Sequence, residues 1–261
     1  MRSTSDSHLL LRYRAKRSEE AFAALVERYQ GMVLGTAFRR TGSMETAQDV
    51  TQRVFAVLAR KSALLIGRAS LAGWLHHATV YESIRAAQAE ARLRARQVPF
   101  ADEVEYTIPA QTPALVTPGR WVALEDAIGS LAAPDREMLV LHYFQDLSCE
   151  EMALKLGVNQ PAVRKRVSRA LARLGVEMRS RGVTGNATAM LAAAVAIQSS
   201  LVAPAGLAHA ALAAAGAGAG ASAFLTLSAL LSAPPVKTLA TILALISLPG
   251  VWFATVRHDR G

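Results

Sequence analysis

Hydrophobic residues recur every three or four positions through the first part of the chain, which is the period of an amphipathic α-helix. Ser18 and Ser43 each precede such a run, and a serine hydroxyl at a helix start accepts a hydrogen bond from a free backbone N–H. A loop at 62–70 and a long helix at 71–96 follow. Because this part of the sequence lacks the two-residue alternation of a strand, it predicts an all-α fold.

The helical pattern stops between residues 98 and 119, a stretch with four prolines and three acidic residues. Proline lacks the backbone N–H that a helix interior requires, so this stretch is expected to be a linker. Helical periodicity then resumes from Leu124 to Phe144. We therefore expect two small helical domains at 1–97 and 120–182, joined by the linker at 98–119 and followed by an Ala/Gly-rich extension at 183–261.

Two consecutive helices are predicted near the end of the second domain. Ser148 and Glu151 have the spacing of a capping box, in which each side chain bonds a backbone N–H at the start of a helix. Gly157 permits a sharp turn at its end, Asn159 is suited to cap the next helix, and Pro161 falls in the first turn of that helix. This order predicts a helix-turn-helix.

The second helix of this pair has one apolar face and one cationic face when residues are placed 100° apart. In a helix-turn-helix the outward face of the second helix lies in the major groove of DNA. An ordinary solvated amphipathic helix is the alternative. The expected DNA contacts, to base edges from the first turns and to phosphates from Arg169 and Arg173, are Gln160, Ala162, Arg164, Lys165, Arg166, Ser168, Arg169 and Arg173.

The formal net charge of +9 favours a polyanionic partner, either nucleic acid or an anionic membrane surface. The single cysteine, Cys149, excludes an internal disulfide framework and a multi-cysteine zinc site, and it fits a reducing cytoplasm. The first residues lack the apolar core of a signal peptide. His76 and His77 are adjacent and so lie on different faces of a helix. We expect no catalytic site, metal site, cofactor or small-molecule substrate.

Four segments carry a resemblance to a known family. They are RSEEAFAALVERY (17–29), AQDVTQRVFAVLARK (47–61), LAGWLHHA (71–78) and the stretch from LEDAIGSL to RALARL (124–174). Together they resemble a bacterial RNA polymerase sigma factor of the extracytoplasmic-function (ECF) group, in the sigma-70 family. The resemblance implies a promoter-melting domain, then a domain that reads the upstream promoter element, with core RNA polymerase and promoter DNA as partners.

The resemblance also assigns roles to particular residues. It implies that the 47–61 helix docks on the polymerase, through Asp49, Gln52 and Arg53 on its exposed face. It implies that the downstream promoter element is captured by the loop before the 71–96 helix and by that helix, with the candidates Arg68, Trp74, His77 and Tyr81. Trp74 and Tyr81 are alternatively core residues, and the docking residues an ordinary solvated surface.

The extension at 183–261 has two alternative interpretations. Lys237 is the only charged residue between Arg181 and Arg257, and the uncharged segment 238–256 has the length of a transmembrane helix. The segment at 187–203 is less apolar and ambiguous. The extension either attaches the cytoplasmic DNA-binding domains to the inner membrane or forms a soluble helical lid that masks them.

The sequence therefore predicts a non-enzymatic sigma factor that directs transcription initiation. The alternative is a membrane-tethered helix-turn-helix regulator that does not dock on RNA polymerase. The helix at 47–61 separates these two functions, because a plain DNA-binding regulator has no evident need for a docking helix.

Overall fold

The structure is a computed structural model that describes residues 4–96 and 118–216. All regular elements in these ranges are helical, which confirms the predicted all-α class. The helices are α1 (Asp6–Lys16), α2 (Glu19–Thr41), α3 (Met44–Leu65), α4 (Ala72–Arg96), α5 (Pro118–Ser130), α6 (Ala133–Leu139), α7 (Cys149–Leu156), α8 (Gln160–Ser180), α9 (Ala187–Ser200) and α10 (Leu207–Gly216). A π-helical turn, Val140–Phe144, continues α6.

Side-chain caps fix the helix starts that the sequence marks. Ser18 Oγ accepts a hydrogen bond from Ala21 N at 3.2 Å and Ser43 Oγ accepts one from Thr46 N at 3.3 Å, at the starts of α2 and α3. The predicted loop at 62–70 is wrong at its beginning, because α3 runs on to Leu65. Leu65 is buried, and this anchors the additional turn in the core.

The first helical group consists of α1, α2, α3 and α4, which pack against one another. Its interior contains large, fully buried side chains such as Phe22, Tyr29 and Phe55. Leu9 and Leu10 of α1 are also buried, so the short apolar run near the start of the chain belongs to the core of this group.

The second helical group consists of α5, α6, the π-helical turn, α7 and α8. Leu124 and Ile128 of α5 are fully buried, as are Leu139 and Leu174 from α6 and α8. Helix α5 begins at Pro118, inside the stretch at 98–119 predicted as a linker. A proline is tolerated in the first turn of a helix, because the N–H it lacks has no partner there.

Helices α9 and α10, from the Ala-rich extension, pack onto both groups. Helix α9 contacts α2, α8 and the π-helical turn, while α10 contacts α3 and α2. Leu191 and Ala194 of α9 and Ala211 of α10 are fully buried. The two groups and these helices make up one compact unit that ends at Gly216. The ambiguous segment at 187–203 therefore covers other helices of the protein.

Across 4–96 and 118–216, the structure contains no helix that combines the length and the apolar character of a membrane span. The candidate transmembrane segment at 238–256 lies outside these residues, and its assignment stays a prediction.

Candidate functional site

Helices α7 and α8 form the predicted helix-turn-helix. The capping box at its start is confirmed: Ser148 Oγ accepts from Glu151 N at 3.2 Å, and Glu151 Oε2 accepts from Ser148 N at 2.8 Å. Gly157 ends α7 with a φ of +67°, a conformation that favours glycine. Asn159 Oδ1 then accepts from Ala162 N at 2.9 Å and caps α8. These local bonds fix the angle at which α8 leaves the turn.

The predicted division of α8 into two faces agrees with the burial of its side chains. Val163, Val167, Ala170 and Leu174 are buried against the rest of the second group. The predicted DNA contacts that lie exposed are Ala162, Arg164, Lys165, Ser168, Arg169 and Arg173. Gln160 and Arg166 are half-buried at the border.

Arg173 differs from the other cations of α8 because it has a partner within the protein. Its guanidinium donates a hydrogen bond to the carboxylate of Asp135, at the start of α6. The Asp135 side chain is only 9% exposed, so this ion pair ties α8 to α6. Phosphate binding was the only role predicted for Arg173, because a partner 38 residues away leaves no local signal in the sequence.

The predicted polymerase-docking residues on α3 fall into two environments. Asp49 and Arg53 are exposed and form an ion pair of 3.8 Å across one helical turn. Gln52 is half-buried, and its Nε2 donates a hydrogen bond to the carbonyl oxygen of Ala210 in α10 at 3.4 Å. The placement of Gln52 on a freely exposed face was therefore wrong: α10 lies against it.

Two further buried residues lie on the same side of α3 as Gln52. Ala56 and Ala59 lie within about 40° of Gln52 around the helix. They are only 2% and 6% exposed. Ala59 also lines a cavity together with Leu212 and Ala215 of α10. We call the side of α3 formed by Gln52, Ala56 and Ala59 the covered edge.

Three of the four predicted downstream-element residues line one cleft. Arg68, Trp74 and His77 surround a space of about 360 Å³, whose opposite wall comes from α6 and includes Pro134 and Arg136. Partial burial lowers the pKa of His77 and the positive charge of Arg136 adds to this shift. The second helical group therefore forms part of this site.

Tyr81 lies outside this cleft, further along α4. Its side chain is 56% exposed and the guanidinium of Arg85 stands 5.9 Å from the centre of its ring. The alternative that Tyr81 is a core residue is therefore wrong. Trp74 is half-buried and packs against the core, so it combines a place in the core with a place in the cleft.

Gly73, at the start of α4, joins the two walls of the cleft. Its N–H donates to Glu137 Oε2 of α6 at 2.9 Å, and its carbonyl accepts from Arg136 Nε at 3.3 Å. A Cβ at this position would collide with the Glu137 carboxylate, so any larger residue would push this carboxylate away from the Gly73 N–H. Burial raises the pKa of Glu137, against hydrogen bonds from Ser70 and Gly73 that lower it.

A buried ionic cluster, made of Arg39, Glu125 and His76, joins α2, α4 and α5. Arg39 Nε donates to Glu125 Oε1 at 2.6 Å, and His76 Nε2 lies 2.7 Å from Glu125 Oε2. All three side chains have no exposed surface. Burial alone would raise the pKa of Glu125, but the charge of Arg39 and the hydrogen bond with His76 outweigh it and lower the pKa to about 2.

Arg39 also reaches beyond this ionic cluster. Its Nη1 donates to the carbonyl oxygen of Ala194 in α9 at 3.0 Å, and its Nη2 donates to Thr36 at 3.1 Å. The guanidinium lies 4.9 Å from the centre of the Phe144 ring. One arginine thus contacts both helical groups and the extension. It was not among the predicted site residues, because Arg39 stands beside Arg40 in the last turn of α2, where basic residues are common and usually solvated.

Asp6 forms a second buried contact between the two groups. Its carboxylate accepts hydrogen bonds from Arg28, from Tyr29 and, at 3.0 Å, from Leu71 N at the entry to α4. Lys155 of α7 lies 3.7 Å from the same carboxylate. Burial raises the pKa of Tyr29, and the negative charge of Asp6 raises it further. The helix-turn-helix is thereby held against the first group.

Family models match both helical groups. The model "Sigma-70 region 2" matches residues 25–93 and the model "Sigma-70, region 4" matches residues 121–174. The chain belongs to the sigma-70 family of RNA polymerase sigma factors. The match to region 2 covers most of α2 with α3 and nearly all of α4, and the match to region 4 covers α5 to the middle of α8.

Curated relatives place this sigma factor in the ECF group. It is 29% identical over 173 residues to the ECF RNA polymerase sigma factor SigK of Mycobacterium sp. (strain KMS), covering 63% of this chain and 86% of SigK. It is 30% identical over 149 residues to the ECF RNA polymerase sigma factor SigE of Mycolicibacterium smegmatis, covering 56% of each chain. Among solved structures, the chain is similar to one titled CnrH in complex with the cytosolic domain of CnrY. The match covers 68% of this chain and 99% of the solved chain, at 23% sequence identity and a TM-score of 0.33.

Several of the buried contacts connect the residues matched to region 2 with the residues matched to region 4. The cluster of Arg39, Glu125 and His76 joins region 2 to region 4 in this sigma factor. The bond from Gly73 to Glu137 does the same. The ion pair between Asp6 and Lys155 joins region 4 to α1, which precedes the residues matched to region 2. The cleft with the downstream-element candidates is therefore closed on one side by region 4.

Proposed function

We propose that this sigma factor binds core RNA polymerase through α3 and directs it to promoters that α8 and the start of α4 recognise. The observation that carries the proposal is the α8 surface. Arg164, Lys165 and Arg169 are exposed there, and within 4–96 and 118–216 none of them forms an ion pair. Their charges are therefore free to meet a polyanion.

The position of these cations within α8 fits the two kinds of DNA contact. Arg164 and Lys165 lie in the second turn of the helix, the part of a recognition helix that reaches base edges. Arginine or lysine there pairs with guanine, and the half-buried Gln160 suits adenine. Arg169 lies further along and is placed to hold a phosphate, which sets register without reading sequence.

The proposed docking contact lies on α3. Asp49 and Arg53 are about half to two-thirds exposed, and their mutual ion pair is a weak surface pair that a partner's charges can replace. A regulator that binds DNA without polymerase would not need this surface. Binding to the polymerase therefore separates the proposed function from the alternative of a tethered DNA-binding regulator.

The test is binding of the purified full chain to sigma-free core RNA polymerase, followed by size-exclusion chromatography and titration. We expect a complex, and we expect the double substitution Asp49→Ala with Arg53→Ala to weaken it about tenfold, or about 1.4 kcal/mol. Glu90→Ala with Arg94→Ala is the matched control, because these residues form an exposed ion pair across one turn of α4, away from α3. If neither the full chain nor any variant described below binds core enzyme, the proposal is wrong.

The proposal places both DNA-binding regions in the cytoplasm and keeps 238–256 as a candidate contact with the inner membrane. The support is the uncharged length of this segment alone. Cell fractionation tests it: an anchored protein sediments with membranes and resists a high-salt wash. Recovery of the full chain in the supernatant would exclude the anchor and leave polymerase binding unaffected.

A further inference from the structure

The covered edge of α3 is occupied by part of the same chain. Gln52 Nε2 bonds the Ala210 carbonyl at 3.4 Å, and Ala211, one residue further along α10, is fully buried. Leu207, one turn earlier, is 5% exposed. Asp49 lies within about 60° of Gln52 around α3, so α10 runs directly beside the exposed docking candidates. A large partner cannot contact Asp49 and Gln52 together while α10 is in place.

Helix α9 is fixed on the other side of the same unit. The carbonyl oxygen of Ala194 accepts a hydrogen bond from Arg39, the residue that joins regions 2 and 4. Gln198 Nε2 donates to the carbonyl oxygen of Phe144 in region 4 at 2.9 Å. Helix α9 is thus bonded to both regions, while α10 covers the α3 edge.

We propose that the α9–α10 segment, residues 187–216, is a built-in inhibitor that competes with core RNA polymerase for the covered edge of α3. The inference rests on the proposed docking role of α3. Displacing the segment removes the bond from Arg39 to Ala194 and the bond from Gln198 to Phe144. Displacement of the whole segment therefore also frees the groups of regions 2 and 4 that α9 bonds.

The composition of α10 is suited to a helix that a binding partner can displace from α3. Its sequence, LAHAALAAAG, has no acidic or permanently charged side chain and is rich in alanine. An alanine buries little apolar surface, so each contact contributes little to the free energy of packing. An isolated helix of this length is only marginally stable in water, so α10 depends on the α3 surface for its order. A polymerase surface that binds the same edge more tightly displaces it.

A matched pair of alanine substitutions in the full chain tests the inference. Ala211→Asp places a carboxylate in the buried contact with α3, whereas Ala213→Asp places it on the exposed side of the same helix. We expect Ala211→Asp to tighten the apparent Kd for core polymerase about tenfold, because the binding-competent fraction of the protein rises. We expect Ala213→Asp to bind as the unaltered chain does.

A reversible cross-link provides the opposite test. Gln52→Cys and Ala210→Cys, combined with Cys149→Ser, place two thiols at the point where the Gln52 side chain bonds the Ala210 backbone carbonyl. Joined by a short cleavable cross-linker, this protein is expected to bind core polymerase at least about tenfold more weakly than after cleavage. The cleaved protein is its own reference, so an effect of the substitutions themselves cancels.

The outcomes separate this inference from the proposed function. If Ala211→Asp binds core enzyme no more tightly than the unaltered chain, and the cross-linked and cleaved forms bind equally, the built-in inhibitor is excluded and docking through α3 stands. If Ala211→Asp loses more helical circular dichroism than the 10 residues of α10 account for, the fold itself is damaged and the cross-linked pair decides alone. If no form binds core enzyme, the docking role of α3 itself is wrong.

Discussion

At the scale of single residues, two buried glutamates behave in opposite ways. Glu125 contacts Arg39 and His76, and its pKa falls to about 2 although burial alone would raise it. Glu137 is mostly buried, and burial raises its pKa despite the hydrogen bonds from Ser70 and Gly73. The buried guanidinium of Arg39 outweighs the effect of burial on Glu125, whereas the exposed Arg68 does not outweigh it on Glu137.

Replacing Glu125 by glutamine is expected to destabilise the protein strongly. The substitution leaves the Arg39 guanidinium buried without a counter-charge, which costs about 3 kcal/mol in the free energy of unfolding at pH 7. Urea unfolding followed by circular dichroism measures the loss. Glu90→Gln is the control, because its ion pair with Arg94 is exposed and contributes about 0.5 kcal/mol or less.

The pH dependence of the same variant gives a second readout. The pKa of Glu125 is lower in the folded protein than in the unfolded chain, so its carboxylate stabilises the fold fully above about pH 4.5. This contribution is lost as the pH falls from about 4.5 to about 2. The Glu125→Gln variant is expected to lack this part of the acid transition. An unchanged difference in stability between variant and parent at pH 7 and pH 3 would contradict the prediction.

Replacing Glu137 by glutamine is expected to leave the stability at pH 7 unchanged or to raise it by up to about 1 kcal/mol. The raised pKa of Glu137 means that its carboxyl group favours the fold at low pH, and this advantage is lost as the pH rises through the folded pKa. A glutamine oxygen still accepts the Gly73 N–H and carries no charge to bury. Equilibrium unfolding at pH 7 checks this; destabilisation by more than about 1 kcal/mol would refute it.

Substitutions at two arginines of α8 are expected to have different effects on DNA binding and on the free energy of unfolding. Arg169→Ala removes an exposed cation and should lower the slope of log affinity against log salt by about 0.9, with unfolding unchanged. Arg173→Ala leaves the nearly buried Asp135 without its partner, which costs about 1 to 3 kcal/mol of stability. DNA binding at several salt concentrations and urea unfolding distinguish the two. Equal effects of both variants in both assays would contradict this division.

At the scale of elements, the capping box positions the helix-turn-helix. Ser148→Ala removes the hydroxyl that accepts from Glu151 N, and is expected to cost about 1 kcal/mol. For a protein of this size that lowers the midpoint of thermal unfolding by about 2 to 4 °C. Ser200→Ala is the control, since its hydroxyl bonds a carbonyl near the exposed end of α9. Equal midpoints for Ser148→Ala and the parent protein would show that the cap is dispensable.

The sequence predicted the helix starts, because each is determined by a hydrogen bond between residues that are close together in the chain. Ser18, Ser43, Ser148 and Asn159 cap helices within three residues of themselves, so their spacing along the chain contains the whole signal. The outward face of α8 followed from helical period alone. The partial burial of Gln52 did not follow from the sequence, because its partner in α10 is 158 residues away and the sequence of α10 contains no motif that predicts a contact with α3.

At the scale of the whole molecule, one apolar core runs through both helical groups and the extension, and polar contacts between residues far apart in the sequence add to it. Arg39 joins Glu125 across 86 residues and Ala194 across 155, and neither pairing has a periodic signature in the sequence. The domain boundaries predicted from the sequence, 1–97 and 120–182, stay a prediction. Helices α1 to α10 pack together in one compact unit, and the cleft with Trp74 lies between regions 2 and 4.

The central claim is that this sigma factor makes core RNA polymerase initiate at particular promoters. The most direct measurement is transcription from a randomised double-stranded DNA library by core enzyme, with and without the full-length factor, with the start sites sequenced. The Ala211→Asp variant is included as the form expected to be released from inhibition. We predict defined start sites that need the factor, with an upstream element whose preferred bases change in Arg164→Ala and Lys165→Ala. Start sites that are identical without the factor, or unchanged by either α8 substitution, would contradict the account.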